Sequence, residues 1–201
     1  MVKTYRQNQI DKLVKILNKD GVVSVPTDTV FGLCASMNSE KGMLKIMKLK
    51  ERPQNKILPI MCANKEQIES IAYVNKNAEK LIESFMPGPI TLILNKKENV
   101  PAYVNNGGNT LAIRMATSDA LKELILKLGC PIFLTSANKS GESPCENLVE
   151  IAITFPELDG MLAGDTSFKK SSTIIDCTTN PVSIVREGPI TLEEITLSIL
   201  S

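Results

Sequence analysis

The chain has no histidine and no tryptophan among its 201 residues. The first absence excludes a Ser-His-Asp or Cys-His nucleophile, a histidine-ligated zinc and an imidazole proton shuttle near neutral pH. With only three Tyr and five Phe, the chain also lacks the aromatic platform on which single-stranded bases stack. No charge of one sign dominates: 23 basic against 22 acidic residues leave a formal net charge of +1, unlike proteins built to coat nucleic acid. Cysteines at 34, 62, 130, 145 and 177 form an odd set without a C-x-x-C pair. They outline neither a disulfide framework nor a zinc knuckle, and they fit a reducing compartment. No run approaches the roughly 18 apolar residues of a membrane span. The polar, helix-like opening MVKTYRQNQIDK has no signal-peptide core behind it. We expect a soluble cytoplasmic protein without membrane association.

What is present is ordinary for a globular chain, with 43% hydrophobic and 22% charged residues. Ile10, Leu13, Val14 and Leu17 recur at helical spacing and stop before Asp20-Gly21, and Gly21 to Pro26 then reads as a buried strand. Further helices are expected over 39–50, 64–72, 77–85, 118–128, 146–154 and 192–200, and strands over 57–61, 90–94, 111–114, 131–135, 173–177 and 182–186. Strands and helices interleave with no linker or repeat, so one α/β domain over 1–201 is expected. Strands that follow one another without helices, in 90–114 and 160–186, predict a mixed parallel and antiparallel sheet with flanking helices.

Lys41 to Lys56, KGMLKIMKLKERPQNK, holds six basic residues against one acid in a nearly neutral chain. Lys41, Lys45 and Lys48 read as a solvated helix face. Lys50 extends the inward stripe of Met43, Ile46 and Met47 by one turn and should lean toward the interior or a cleft rim. Arg52 precedes Pro53, which ends the helix. A Lys and an Arg two apart offer a polyphosphate a point charge and a planar fork. PTDTVFGL (Pro26 to Leu33) follows the first buried strand, where α/β sheets commonly bind ligands; its threonines either bond a polar ligand or cap the next turn. TSANKSGESP (Thr135 to Pro144) repeats this layout after another strand, with backbone N–H groups free to face an anion. Neither stretch is a P-loop or a dinucleotide fingerprint.

Lys50-Glu51-Arg52 and Ser136-Ala137-Asn138 together resemble the K-x-R…S-x-N signature of the YrdC-like threonylcarbamoyl-AMP synthases. PTDTVFGL, PGPIT (Pro87 to Thr91), LAIR (Leu111 to Arg114), SSTIID (Ser171 to Asp176) and IVREG (Ile184 to Gly188) fall in that family's order. The resemblance covers about Gly21 to Gly188 and is to the short, single-domain form. It implies an open, twisted sheet with a concave basic face. It also implies synthesis of L-threonylcarbamoyl-AMP from L-threonine, bicarbonate and ATP with release of pyrophosphate, the first step toward threonylcarbamoyladenosine beside the anticodon of tRNA. A downstream tRNA threonylcarbamoyl transferase is the implied partner.

Carried over residue by residue, the resemblance puts Thr29, Arg114 and Ser172 on threonine, with backbone groups near Leu134. Arg52, Thr110, Ser136 and Arg186 hold ATP, Lys50 sits on its phosphates, and Asn138 lines the same cleft. Lys50 and Arg52 are the implied catalytic pair, with Mg²⁺ arriving on ATP and no protein metal site. Asp28 is the carboxylate placed to orient that metal's water shell. Lys56 stands where many members have Asn, and Met61 where many have a His that bonds threonine. GDTSFKKSS carries lysines where the family is rich in glycine, with Gly164 kept.

Such a reaction asks little covalent chemistry of the protein. The N-carboxy derivative of threonine attacks the α-phosphate in line, and cations and positioning lower the barrier, which suits a chain without histidine. A module that binds double-stranded RNA or tRNA weakly through the same face is the alternative, and its affinity would fall steeply with salt. A carbamoyl-phosphate domain of a larger maturation enzyme is a third reading that the length disfavours.

Overall fold

Short polar residues set the helix starts. In a computed structural model describing residues 2–53, 56–166 and 171–200, the Ser39 hydroxyl accepts the Gly42 N–H at 2.8 Å and opens α2 (Glu40–Leu49). Asn64 opens α3 (Lys65–Ile71), Asn75 opens α4 (Lys76–Phe85), Ser118 opens α5 (Asp119–Leu128) and Asn147 opens α6 (Leu148–Thr154) in the same way. Each such cap contributes about 1 kcal/mol. Helix α1 (Ile10–Leu17) buries the four apolar residues whose spacing announces it, and α7 (Leu192–Leu200) closes the described chain.

The strands are β1 (Thr4–Tyr5), β2 (Val23–Val25), β3 (Gly32–Ser36), β4 (Ile60–Cys62), β5 (Ala72–Tyr73), β6 (Ile90–Lys96), β7 (Thr110–Met115), β8 (Ile132–Ser136), β9 (Gly160–Leu162), β10 (Thr173–Asp176) and β11 (Ser183–Arg186). They form one open sheet in the order β1-β9-β2-β3-β8-β4-β7-β6-β10-β11, with β5 added to β6. The pairs β1/β9, β2/β9, β4/β7 and β6/β10 are parallel and the others antiparallel, so the sheet is mixed, as the succession of strands predicts. Two expectations are corrected. The opening residues, read as helix-like, contain β1 and a 3₁₀ turn over 7–9. The expected strand at 57–61 is shifted to 60–62. Strands β1, β3, β5 and β9 have no counterpart among the expected elements.

Alternation along the central strands sends side chains to two separate cores. Leu33, Ala35, Ile60, Cys62 and Phe133 face one side, where α2, α3, α4, α6 and α7 contribute Ile46, Ile68, Leu81, Ile151 and Ile195. Cys34, Met61, Ile132 and Leu134 face the other, against α1 and α5. That second cover stops short: β6, β7 and β10 give the first core Leu92, Ile113 and Ile175 but contribute nothing to the second. Their alternate residues Ile93, Ala112, Arg114 and Ile174 are left only half-buried on a bare half-face. Among the described residues no helix is long and apolar enough to cross a membrane.

The turn after β11 locks this half-face. A methyl group on Gly188 would lie 2.3 Å from the Thr173 nitrogen and 2.6 Å from the Ser172 carbonyl carbon, backbone atoms that cannot swing aside. Gly188→Ala should therefore cost about 1–3 kcal/mol, read as a lower urea midpoint at unchanged slope. An unaltered midpoint would show that the crossing has slack.

Candidate active site

The bare half-face and the ends of β2, β3 and β8 enclose a cavity of about 370 Å³. Thr29, Arg52, Arg114, Ser136, Ser172 and Arg186, predicted from far-separated motifs, all line it. Thr110, Lys50 and Asn138 do not. Thr110 opens β7 on the same side as Ala112 and Arg114 but roughly 13 Å along the strand from Arg114, paired with Asn95. Lys169 and Lys170 lie outside the described residues.

The segment after β2 is a turn closed by one hydroxyl. Thr27 Oγ1 donates to the Val30 carbonyl at 2.6 Å and receives the Thr29 and Val30 N–H groups at 3.1 and 3.2 Å. Its oxygen also lies 3.0 Å from Thr29 Oγ1. The threonines thus serve both readings left open by the sequence: Thr27 closes the turn, and Thr29 reaches the cavity wall. Asp28 does not have a carboxylate free for a metal's water shell. Arg114 Nη2 donates to its two oxygens at 2.9 and 3.1 Å and to the Gly88 carbonyl of PGPIT at 3.3 Å. Among the described residues, Arg114 Nη1 has only a 3.5 Å contact with Thr29 Oγ1.

The other two arginines are anchored alike. Arg186 donates from Nε and Nη2 to the Ser172 carbonyl at 3.1 and 2.8 Å and from Nη2 to Ser172 Oγ at 3.2 Å. Ser172 Oγ in turn lies 2.8 Å from Thr91 Oγ1. Arg52 donates from Nε to the Lys56 carbonyl at 3.1 Å and from Nη2 to the Ile57 carbonyl at 2.9 Å. The chemical result is three planar cations held by fixed oxygens, with Nη1 of Arg52 and Arg186 uncommitted among the described residues. Burial lowers the pKa of Arg52 and Arg186, the latter also through the charge of Arg114, yet guanidinium stays protonated in proteins. Met61, at 1% exposure, closes the apolar floor with Leu134 and offers no hydrogen bond.

Lys50 and Arg52 diverge because α2 ends in a Schellman turn. The Arg52 N–H bonds the Met47 carbonyl at 2.9 Å and the Glu51 N–H bonds Lys48 at 3.1 Å, with Glu51 in the left-handed region at φ 52° where glycine is usual. Arg52 is sent to the cavity. Lys50 goes beneath it, 1% exposed, and its ammonium donates to the Ser136 carbonyl, to the Asn138 carbonyl at 2.7 Å and to Asn138 Oδ1 at 3.2 Å. The K-x-R and S-x-N segments are therefore one hydrogen-bonded unit, with Lys50 holding the loop that bears Ser136 instead of reaching into the cavity. The Lys50 carbonyl accepts the Ser140 N–H at 2.8 Å, and Lys139 pairs with Glu51 at 2.8 Å. Thr27, Thr91 and Gly88 support the cavity without having been singled out for binding, and only their place inside PTDT and PGPIT marks them; Asp28, singled out for a metal's water shell, instead anchors Arg114.

A protein-family model for Sua5, YciO and YrdC, described as telomere recombination, matches residues 15–188. The threonylcarbamoyl-AMP synthase of Pyrococcus abyssi is 37% identical over 180 residues, 87% of this chain and 52% of that protein. The threonylcarbamoyl-AMP synthase of Yersinia enterocolitica is 31% identical over 173 residues, 82% of this chain and 90% of that protein. The structure of Pyrococcus abyssi Sua5 complexed with L-threonine superposes with a TM-score of 0.92 at 32% identity, covering 99% of this chain and 61% of that one. The chain thus spans about half to three-fifths of the Pyrococcus protein and nine-tenths of the Yersinia one.

Burial, and next the nearby charge of Arg52, push the Lys50 ammonium down to about 8 from 10.5, with Cys145 opposing. Between those two values the unfolded chain binds more protons than the folded one, so this lysine's contribution raises stability as pH climbs from about 8 toward 10.5. An NMR titration of the Lys50 side chain should show a midpoint near 8, and Lys50→Met should remove this rise from the pH–stability profile. A midpoint at the value of exposed lysines would contradict the burial.

Proposed function

The chain belongs to the Sua5/YciO/YrdC family, and from that membership we propose that it converts L-threonine, bicarbonate and ATP into L-threonylcarbamoyl-AMP and pyrophosphate. The names of its relatives support the activity, and the threonine complex of the Pyrococcus protein supports the amino acid. We read the chain as one catalytic domain on one sheet. Five cysteines without disulfides, four of them buried, support a cytoplasmic setting. The product is consumed by a tRNA threonylcarbamoyl transferase.

The observation that carries this reading is the set of three arginines, each fixed through Nη2 with hydrogen-bonding capacity left on Nη1. Such a cavity fits a substrate pair rich in negative charge. Arg114, with Thr29 and Ser172, takes the threonine carboxylate and its polar groups. Arg52 and Arg186 take the triphosphate, Ser136 takes another part of ATP, and Lys50 adds its charge from beneath. Thr110 and Asn138 extend the nucleotide side. The threonine amine, once deprotonated, adds to bicarbonate with loss of water to give an N-carboxylate. One of its oxygens bonds to the α-phosphorus as the bond to the β-phosphate oxygen breaks, and pyrophosphate leaves with the electron pair. Charge gathers on the departing oxygens, where positioned guanidinium groups lower the barrier. Mg²⁺ travels with ATP as part of the substrate. Asp28 is committed to Arg114, and among the described residues no three His, Cys, Asp or Glu side chains are grouped to hold a metal, so no residue is assigned to it.

Mass spectrometry of the products from ATP, bicarbonate and isotopically labelled threonine should reveal a labelled threonylcarbamoyl adenylate. Pyrophosphate release that is indifferent to threonine would sink the assignment. Arg52→Ala and Arg186→Ala should weaken ATP, and Arg114→Ala and Thr29→Val threonine, by roughly 10- to 100-fold, the scale of a hydrogen bond to a charged group. Calorimetry showing equal loss of both ligands in every variant would refute this division.

A further inference from the structure

The hydroxyls on the cavity wall differ in what they can offer a ligand. Ser172 faces the Thr91 hydroxyl across a contact in which either oxygen can donate, whereas Thr29 donates to Thr27 Oγ1, whose own proton goes to the Val30 carbonyl. Ser136 faces an amide oxygen. The orientation of that amide follows from its partners: Asn138 Nδ2 donates to the Lys139 and Glu142 carbonyls at 2.7 and 2.9 Å, while Oδ1 receives the Lys50 ammonium at 3.2 Å. An amide oxygen can only accept, so in its 2.5 Å contact with Ser136 Oγ the serine is the donor. With its one proton committed, Ser136 turns lone pairs toward the cavity. Lone pairs repel phosphate and carboxylate oxygens and attract an N–H or O–H group.

ATP carries such groups in two places, the ribose hydroxyls and the adenine amino group. Ser136 sits on the loop tied to Lys50, two residues from the Arg52 that is assigned to the triphosphate. This favours the ribose, which adjoins the phosphates, over the amino group at the far end of the base. We propose that Ser136 accepts a hydrogen bond from a ribose hydroxyl of the nucleotide, and that Lys50 is a positioning residue that fixes this polarity through Asn138. The inference rests on the nucleotide reading above and adds to it the basis for choosing a ribonucleotide over a deoxyribonucleotide.

Calorimetry of ATP, 2′-deoxy-ATP and 3′-deoxy-ATP, without threonine, tests it. Wild type should bind one deoxy analogue about tenfold more weakly than ATP, the scale of one neutral hydrogen bond. Ser136→Ala should bind ATP about tenfold more weakly and no longer distinguish it from that analogue. Lys50→Met should lose the same discrimination, whereas a purely structural loss would weaken all three nucleotides in proportion. If Lys50→Met does not fold, Ser136→Ala decides alone. Equal binding of the three by wild type, or discrimination that survives Ser136→Ala, overturns the inference and leaves the nucleotide reading standing. Failure of wild type to bind ATP at all overturns both.

Discussion

A lysine ammonium buried with no carboxylate among its partners is costly unless each of its protons finds an oxygen. Lys50 meets that condition with a tripod of two carbonyls and an amide oxygen drawn from one loop 86 to 88 residues away. The end of α2 and the end of β8 are thereby fixed to each other. Arg52 leaves the helix through the Schellman turn that follows Lys50, and the ammonium behind Ser136 ties the loop that follows it to that turn. Removing any leg would leave a buried charge short of a partner, so the tripod stands or fails as a unit.

The cavity exists because helices cover one face of the central strands and the other only in part. Helices α1 and α5 seal β2, β3, β8 and the middle of β4 and stop there. Strands β6, β7 and β10 still alternate, sending Leu92, Ile113 and Ile175 inward, so the residues between them are free to serve a ligand. The second-core side thus supplies the floor, Met61 and Leu134, and the bare half supplies Thr91, Ala112, Arg114 and Ile174.

Much of this was legible along the chain. Caps such as Ser118 and apolar stripes such as Ile10-Leu13-Val14-Leu17 announce helices locally, and the seven motif fragments identify most of the cavity wall through resemblance to a family. What escaped has a physical reason. β3 is the run Gly-Leu-Cys-Ala-Ser, whose small residues carry little strand propensity and whose identity comes from pairing with β2 and β8. β1, β5 and β9 are two or three residues long, below any period. The ion pair of Asp28 with Arg114 joins positions 86 apart, and nothing at either position signals it. The helical stripe predicts an inward lean for Lys50 but not its partners, because a stripe gives direction and not destination.

The manner in which the three guanidinium groups are held narrows the routes open to mutational drift. Each uses one part of its planar fork on the scaffold and keeps another for the ligand. Lysine has a single nitrogen on a flexible stem. At Arg52, Arg114 or Arg186 it would carry the same charge yet have to choose between its carbonyl anchor and the ligand. Exchanges between these two residues, tolerated across most of a protein's surface, are therefore closed here, and the cavity constrains its own evolution by shape as well as by charge.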